Sequence, residues 1–247
     1  MDWTETAIIV AGLFTAGVVK GATGLGYSTT ALPILTLTVG LRAAMPLVLL
    51  PSMASNLSVM AGAGHFGEVL RRFLPLYLSL LPGLALGLAT LLWVDQNLAA
   101  GVLGLVIVAY SGFALSKPTV RLPDRFQKVL QVPVGFINGC INGLTGSQIM
   151  PLVPFMLALK LDPDRFVQAI NIAFTLSSLV MMLGLARTGL MTGSTFVLSA
   201  AGIIPAMLGG LLGTVLRRRL PEQIFRRLVL ATLIVLGLIL TTRLTSI

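Results

Sequence analysis

Apolar residues gather in stretches of about twenty, the length that carries an α-helix across a hydrocarbon core of roughly 30 Å at 1.5 Å per residue. Such stretches fall at 43–64, 73–94, 97–116, 166–186, 193–216 and 226–243, with short polar or charged loops between them. Two further apolar stretches, 6–39 and 130–158, are too long for one crossing, and a glycine-rich polar patch breaks each. The pattern predicts an all-α polytopic membrane protein with six plain transmembrane helices and two interrupted helical segments.

Composition sharpens that class. Hydrophobic residues make up 56% of the 247 and charged residues 10%, against about 25% charged in an average soluble domain. A soluble globular enzyme is excluded. The net charge of +9 then reads as basic loops facing anionic lipid rather than a nucleic-acid surface. A single cysteine, Cys140, allows no intramolecular disulfide, and a single histidine, His65, leaves too few ligands for a structural zinc site. No phosphate-binding loop is present, so no ATP chemistry or cofactor is expected. Met1 to Glu5 carries two acids and no base, unlike a cleaved signal peptide, so the first apolar run is expected to stay.

The chain repeats itself. A shift of 122 residues lays Gly21, Thr23 and Gly24 on Gly143, Thr145 and Gly146, Ser55 on Ser177, and Asn56 on Ser178. A slip of one residue pairs Pro33 with Pro154 and Pro82 with Pro205. The expected organisation is a first repeat at 1–117, a cytoplasmic linker at 118–128 and a second repeat at 129–247, each an interrupted segment plus three helices. Lysine and arginine decide whether the interrupted segments cross once or double back. Single crossing divides the loop bases 8 to 8. Doubling back puts Arg71, Arg72, Lys117 to Lys128, Lys160, Arg165 and Arg217 to Arg227 together, 13 bases against Arg42, Arg187 and Arg243. Doubling back makes the halves inverted repeats, a transporter architecture, with the N-terminus outside and the basic loops cytoplasmic. Arms of about 14 to 17 residues would then meet near mid-membrane.

The patches carry the candidate chemistry. The first runs from Lys20 through Gly21, Thr23, Gly24 and Gly26. A lysine at this depth costs about 3 kcal/mol or more and must face a cavity or a partner, yet no acid lies in either interrupted segment beyond Glu5 at the edge of the first. An ammonium beside a helix N-terminus with free N–H groups suits an anion. The competing reading has Lys20 snorkelling to an interface and the glycines serving only close helix packing. The second patch holds Asn138, Asn142, Thr145, Gly146, Ser147 and Gln148, with Asn142 in the place of Lys20. Amides and hydroxyls there would hold oxyanion oxygens, or merely cap broken helices. Ser55, Asn56, Thr175 and Ser178 are candidate pathway residues, though such side chains often bond only to their own helix. Ser52, Asn171 and Ser177 lie at similar depth. His65 beside Glu68 reads as a solvated loop histidine, and the Arg217 cluster as a topology anchor.

The paired motifs Gly21-Ala22-Thr23-Gly24-Leu25-Gly26 with Pro33, and Gly139 to Gly146 with Pro151 and Pro154, resemble those of the sulfite exporter TauE/SafE family. The resemblance implies movement of sulfite, sulfonates and related anions across the bacterial inner membrane. Gln148 and Ile149, and Tyr27 and Ser28, depart from the family's usual residues. The combined expectation is a non-enzymatic secondary transporter of small, sulfur-containing anions that works by alternating access. A passive anion channel, or a transporter of another organic anion, is the alternative. The expected partners are the anion and the bilayer, not nucleic acid. A proton or sodium coupling ion and a homo-oligomer stay open.

Overall fold

The computed structural model describes residues 3–116, 121–219 and 222–246. All regular structure among them is helical: α1 Trp3–Thr23, α2 Tyr27–Val39, α3 Leu41–Ala63, α4 Phe66–Arg72, α5 Leu74–Trp93, α6 Gln96–Ser116, α7 Asp124–Val129, α8 Gln131–Thr145, α9 Leu152–Ala158, α10 Pro163–Arg187, α11 Gly193–Ala201, α12 Ile203–Arg219 and α13 Glu222–Thr241. Seven stretches of the described residues are long and apolar enough to cross a membrane: α1, α3, α5, α6, α10, the α11–α12 pair and the region of α13. The six plain stretches expected from sequence fall within a few residues of these helices. One is divided at Gly202.

Both interrupted segments double back. Gly12 of α1 meets Ile34 and Leu35 of α2, and Gly26 meets Val19, so the two helices pack antiparallel. In the second segment the Asn138 amide donates to the carbonyls of Gln148 (3.0 Å) and Met150 (2.9 Å), pulling the returning chain alongside α8. The arms differ from the expected 14 to 17 residues. They are 21 and 13 residues in the first segment and 15 and 7 in the second, because α1 runs a full membrane length and α9 starts only after an irregular return. Of the expected linker, 118–120 lies outside the described residues, and α7 occupies 124–129.

Contacts at the helix ends define two faces. At the basic face Arg165 bonds Glu68 and Asp162, Arg72 reaches Gln127, Leu122 bonds Ala158, and Arg226 donates to the Ala114 carbonyl. At the opposite face Arg42 donates to the carbonyls of Leu91 and Val94, and Arg243 to Asn97. Side by side at each face, therefore, lie the loops that doubling back groups together.

Glycine determines which helices touch. Helix α1 lies parallel to α12, and a Cβ at Gly17 or Gly21 would overlap the carbonyl oxygen of Ala206 or Gly210. Helix α8 lies parallel to α5 in the same way: a Cβ at Gly139 would overlap the Leu80 oxygen, and one at Gly87 the Cys140 oxygen. Between apolar helices in lipid, such close backbone approach is the main source of attraction. Each half thus lends the first arm of its hairpin to a glycine face on the other half.

Two further bonds cross between the halves at matching places. Pro51 has no N–H to give the Leu47 carbonyl four residues earlier, and the buried Ser199 hydroxyl of α11 donates to that oxygen at 3.1 Å. In the other half the Tyr77 hydroxyl of α5 donates to the Ala169 carbonyl of α10 at 3.0 Å. A shift of 122 carries Tyr77 onto Ser199 and Leu47 onto Ala169, so donor matches donor and acceptor matches acceptor.

Candidate functional site

The helix breaks share one local design. Thr23 donates to the Val19 carbonyl (2.8 Å) and accepts from the Leu25 N–H (3.3 Å), while the Gly24 N–H bonds Lys20 O at 2.7 Å. Thr145 donates to the Ile141 carbonyl (2.6 Å) and accepts from the Ser147 N–H (3.2 Å), while the Gly146 N–H bonds Asn142 O at 2.7 Å. Gly24 and Gly146 take φ of 78° and 75°, a left-handed conformation that glycine adopts without a Cβ penalty. Such a glycine ends a helix. The threonine hydroxyl then satisfies backbone groups released at the break.

Lys20, in the last turn of α1, is 3% exposed. Its ammonium donates to the side-chain oxygens of Asn56 on α3 and Asn171 on α10, the latter at 3.1 Å, and sits 6.0 Å from the Phe174 ring centroid. The Asn171 amide nitrogen is fixed by the Val167 carbonyl at 2.7 Å, which leaves its oxygen turned to the cation. None of the described ion pairs includes Lys20. An ammonium has three donors, and two are engaged by neutral amides. The hydrogen bonds described for this nitrogen are to neutral amides, with no carboxylate among them.

Helix α2 starts beside it. Gly26 supplies a left-handed N-cap with no side-chain cap, and the first intrahelical bond runs from Thr30 N to Gly26 O. The N–H groups of Tyr27, Ser28 and Thr29 therefore have no intrahelical acceptor. These residues, with Lys20, Gly26, Ser52, Asn56, Gln148, Ile149 and Phe174, line a constricted cavity of about 10 Å³. That is close to the least space that holds one water. Ser28 and Ser52 hydroxyls pair at 3.1 Å, and the Gln148 amide donates to Ser178 at 3.0 Å. The Tyr27 hydroxyl and the Asn56 amide nitrogen are buried with no partner. Lys20 is the one Lys, Arg, Asp or Glu among the described lining residues, and the open groups include several donors.

The structure sorts the sequence candidates. It brings Lys20, Gly26, Asn56 and Gln148 to one cavity, with Ser178 behind Gln148. Thr23 and Thr145 close their turns, Gly24 shapes the first break, and Gly21 lies against α12. Asn138 ties the second hairpin. Asn142 and Ser147 are buried at the second break, where the Asn142 amide nitrogen and Ser147 hydroxyl have no partner. Gly146 packs on Leu32 and Met45. Ser55 is half-buried, and the Thr175 hydroxyl is buried without a partner. Asn171, Ser28, Tyr27 and Phe174 are additions. Asn171 is 151 residues from Lys20, and only its polarity at matching depth marked it in the sequence.

The family model described as Sulfite exporter TauE/SafE matches residues 8–240 of the chain. No curated protein and no solved structure matches it.

Proposed function

We propose, from the premise that this chain belongs to the sulfite exporter TauE/SafE family, that it is a secondary transporter of small, sulfur-containing anions that works by alternating access. The observation that carries the reading is the setting of Lys20: a buried ammonium, held by two amides and facing the uncapped start of α2, with no carboxylate on the cavity wall. Preorganised donors of this kind hold an oxyanion through charge-assisted hydrogen bonds. Lys20 supplies charge, the N–H groups of Tyr27 to Thr29 hold oxygens, and Asn56, Asn171 and Gln148 set orientation.

A cavity of about 10 Å³ is too small for a pyramidal or tetrahedral oxyanion, so binding requires the two breaks to part. A constricted centre favours a conformational cycle over a standing pore. In this reading the halves are inverted repeats, each hairpin seated in the other half, with the basic face in the cytoplasm of a bacterial inner membrane. The positions of the bases and the opposite directions of α1 and α8 support that orientation. No step of this mechanism calls for covalent catalysis.

The test is thermal unfolding of detergent-purified protein with sulfite, sulfate, methanesulfonate or acetate, beside the Lys20→Ala variant. A ligand of the native state raises Tm by mass action. Sulfite or the sulfonate should raise the wild-type Tm and leave that of Lys20→Ala unmoved. Equal shifts in both proteins, or none in either, would overturn the assignment of Lys20.

A further inference from the structure

A second cavity, of about 200 Å³, opens at the basic face and ends on Gly26, the residue that also borders the cavity at Lys20. Its wall is mainly apolar, with Tyr110 of α6, Phe166 of α10 and Phe225 and Leu230 of α13. Two guanidinium groups, Arg217 of α12 and Arg226 of α13, are its charged lining residues among those described. Arg226 is steadied by one bond to the Ala114 carbonyl at 2.8 Å. A guanidinium carries five N–H groups, and no other bond of Arg226 is found among the described residues. Topology accounts for basic residues at this face, but not for two exposed ones lining an apolar recess that shares Gly26 with the cavity at Lys20.

We propose that Arg217 and Arg226 form a second anion-binding station, in which an organic oxyanion with an apolar body docks before it reaches Lys20. This rests on the proposed transport function and extends it. The guanidinium pair takes the oxyanion head in fork geometry, and the aromatic and aliphatic wall takes the body. Movement inward is then an exchange of one cationic site for the next across Gly26, where the absence of a side chain keeps the passage short. A bare inorganic oxyanion gains only the arginines here. A sulfonate with an apolar body gains both walls.

The experiment places a reporter in the recess: Phe225→Trp, with Trp3 and Trp93 replaced by Phe, titrated in detergent with 4-bromobenzenesulfonate as quencher. Done in a Lys20→Ala background, it reads the recess alone, so failure of the central site and failure of the station are distinguishable. Saturable quenching that benzenesulfonate displaces is expected, with methanesulfonate a weaker competitor. Arg217→Gln with Arg226→Gln should weaken it at least about tenfold, since each charge-assisted bond lost is worth about that or more. Arg217→Lys with Arg226→Lys should recover part of that loss. Should the glutamine variant not fold, the titration of the arginine-intact reporter still decides. Linear, unsaturable quenching overturns the proposal, as does unchanged affinity in a folded glutamine variant. Displacement by phosphatidylglycerol but not by benzenesulfonate makes the recess a lipid-headgroup site and overturns it as well.

Discussion

The two helix breaks are the same object locally and different objects globally. Thr23 and Thr145 make matching turns around left-handed glycines, so short-range sequence is enough to build each break. Their surroundings diverge: Thr23 is exposed beside the basic-face recess, whereas Thr145, Ser147 and Gln148 are buried and Gly146 is covered by Leu32 and Met45. One position carries the lysine and its equivalent carries Asn142. Local chemistry makes a break; packing decides whether it is reached from outside, and a single charge decides what it attracts.

The sharpest way to break this comparison is to remove the charge. Lys20→Ala should reduce sulfite flux in proteoliposomes about 100-fold, as expected for loss of a buried charge-assisted site, while Asn142→Ala should leave most of it. Equal losses would make the breaks functionally equivalent and the lysine incidental. Moving the charge, with Lys20→Asn and Asn142→Lys together, should not restore flux, because the uncapped start of the 13-residue α2 serves only the first break.

Packing should respond evenly where chemistry does not. Gly21→Val and Gly143→Val each drive a side chain into a backbone carbonyl, Gly210 in one case and Leu84 in the other. Each should destabilise by about 2–4 kcal/mol, in the range of severe overpacking, measured as the fall in Tm. A large inequality between the two would count against matched packing of the halves. Labelling gives a gentler probe. With Cys140 replaced by Ser, Thr23→Cys should react rapidly with a polar maleimide and Thr145→Cys slowly. Comparable rates would mean the second break is as open as the first.

The smallest effect concerns the basic face alone. Glu68 is held below the usual carboxylate range by its hydrogen bonds to Arg165, and Asp162 likewise. A depressed carboxylate pKa stabilises the fold above its unfolded value, about 4, and that contribution is lost as pH falls through the folded value. Both groups are exposed, so the loss should be a slight drop in Tm below pH 4, absent from Glu68→Gln with Asp162→Asn. An equal drop in that variant would show that other groups are responsible.

Much of this was legible in the chain before its structure. The Gly-x-Thr-Gly pairs at 21–24 and 143–146 mark both breaks because glycine and threonine act within one turn, and the loop bases favour doubling back. What could not be read is whatever depends on distant partners. Asn171 was visible as a polar residue in an apolar run, yet its oxygen meets Lys20 only because α10 packs on α3. The glycines beside Lys20 allowed a close-packing reading, but nothing in the sequence said that the partner of Gly21 is α12. Arm lengths were misjudged because α1 continues through the apolar run to Thr23, and hydropathy gives no sign of where a hairpin tip lies in depth.

The pairing of α1 with α12 also bears on how the chain is made. α1 ends at Thr23 and its glycine-faced neighbour begins at Ile203, so at about 5–20 residues per second the ribosome needs roughly 10 to 40 s to supply it. During that interval the glycine face of α1 has no α12 to pack against, and α5 likewise precedes α8. By these contacts, neither half has its full set of helix neighbours until the other has been made. The two are interlaced, and synthesis of the last third of the chain is what closes the first.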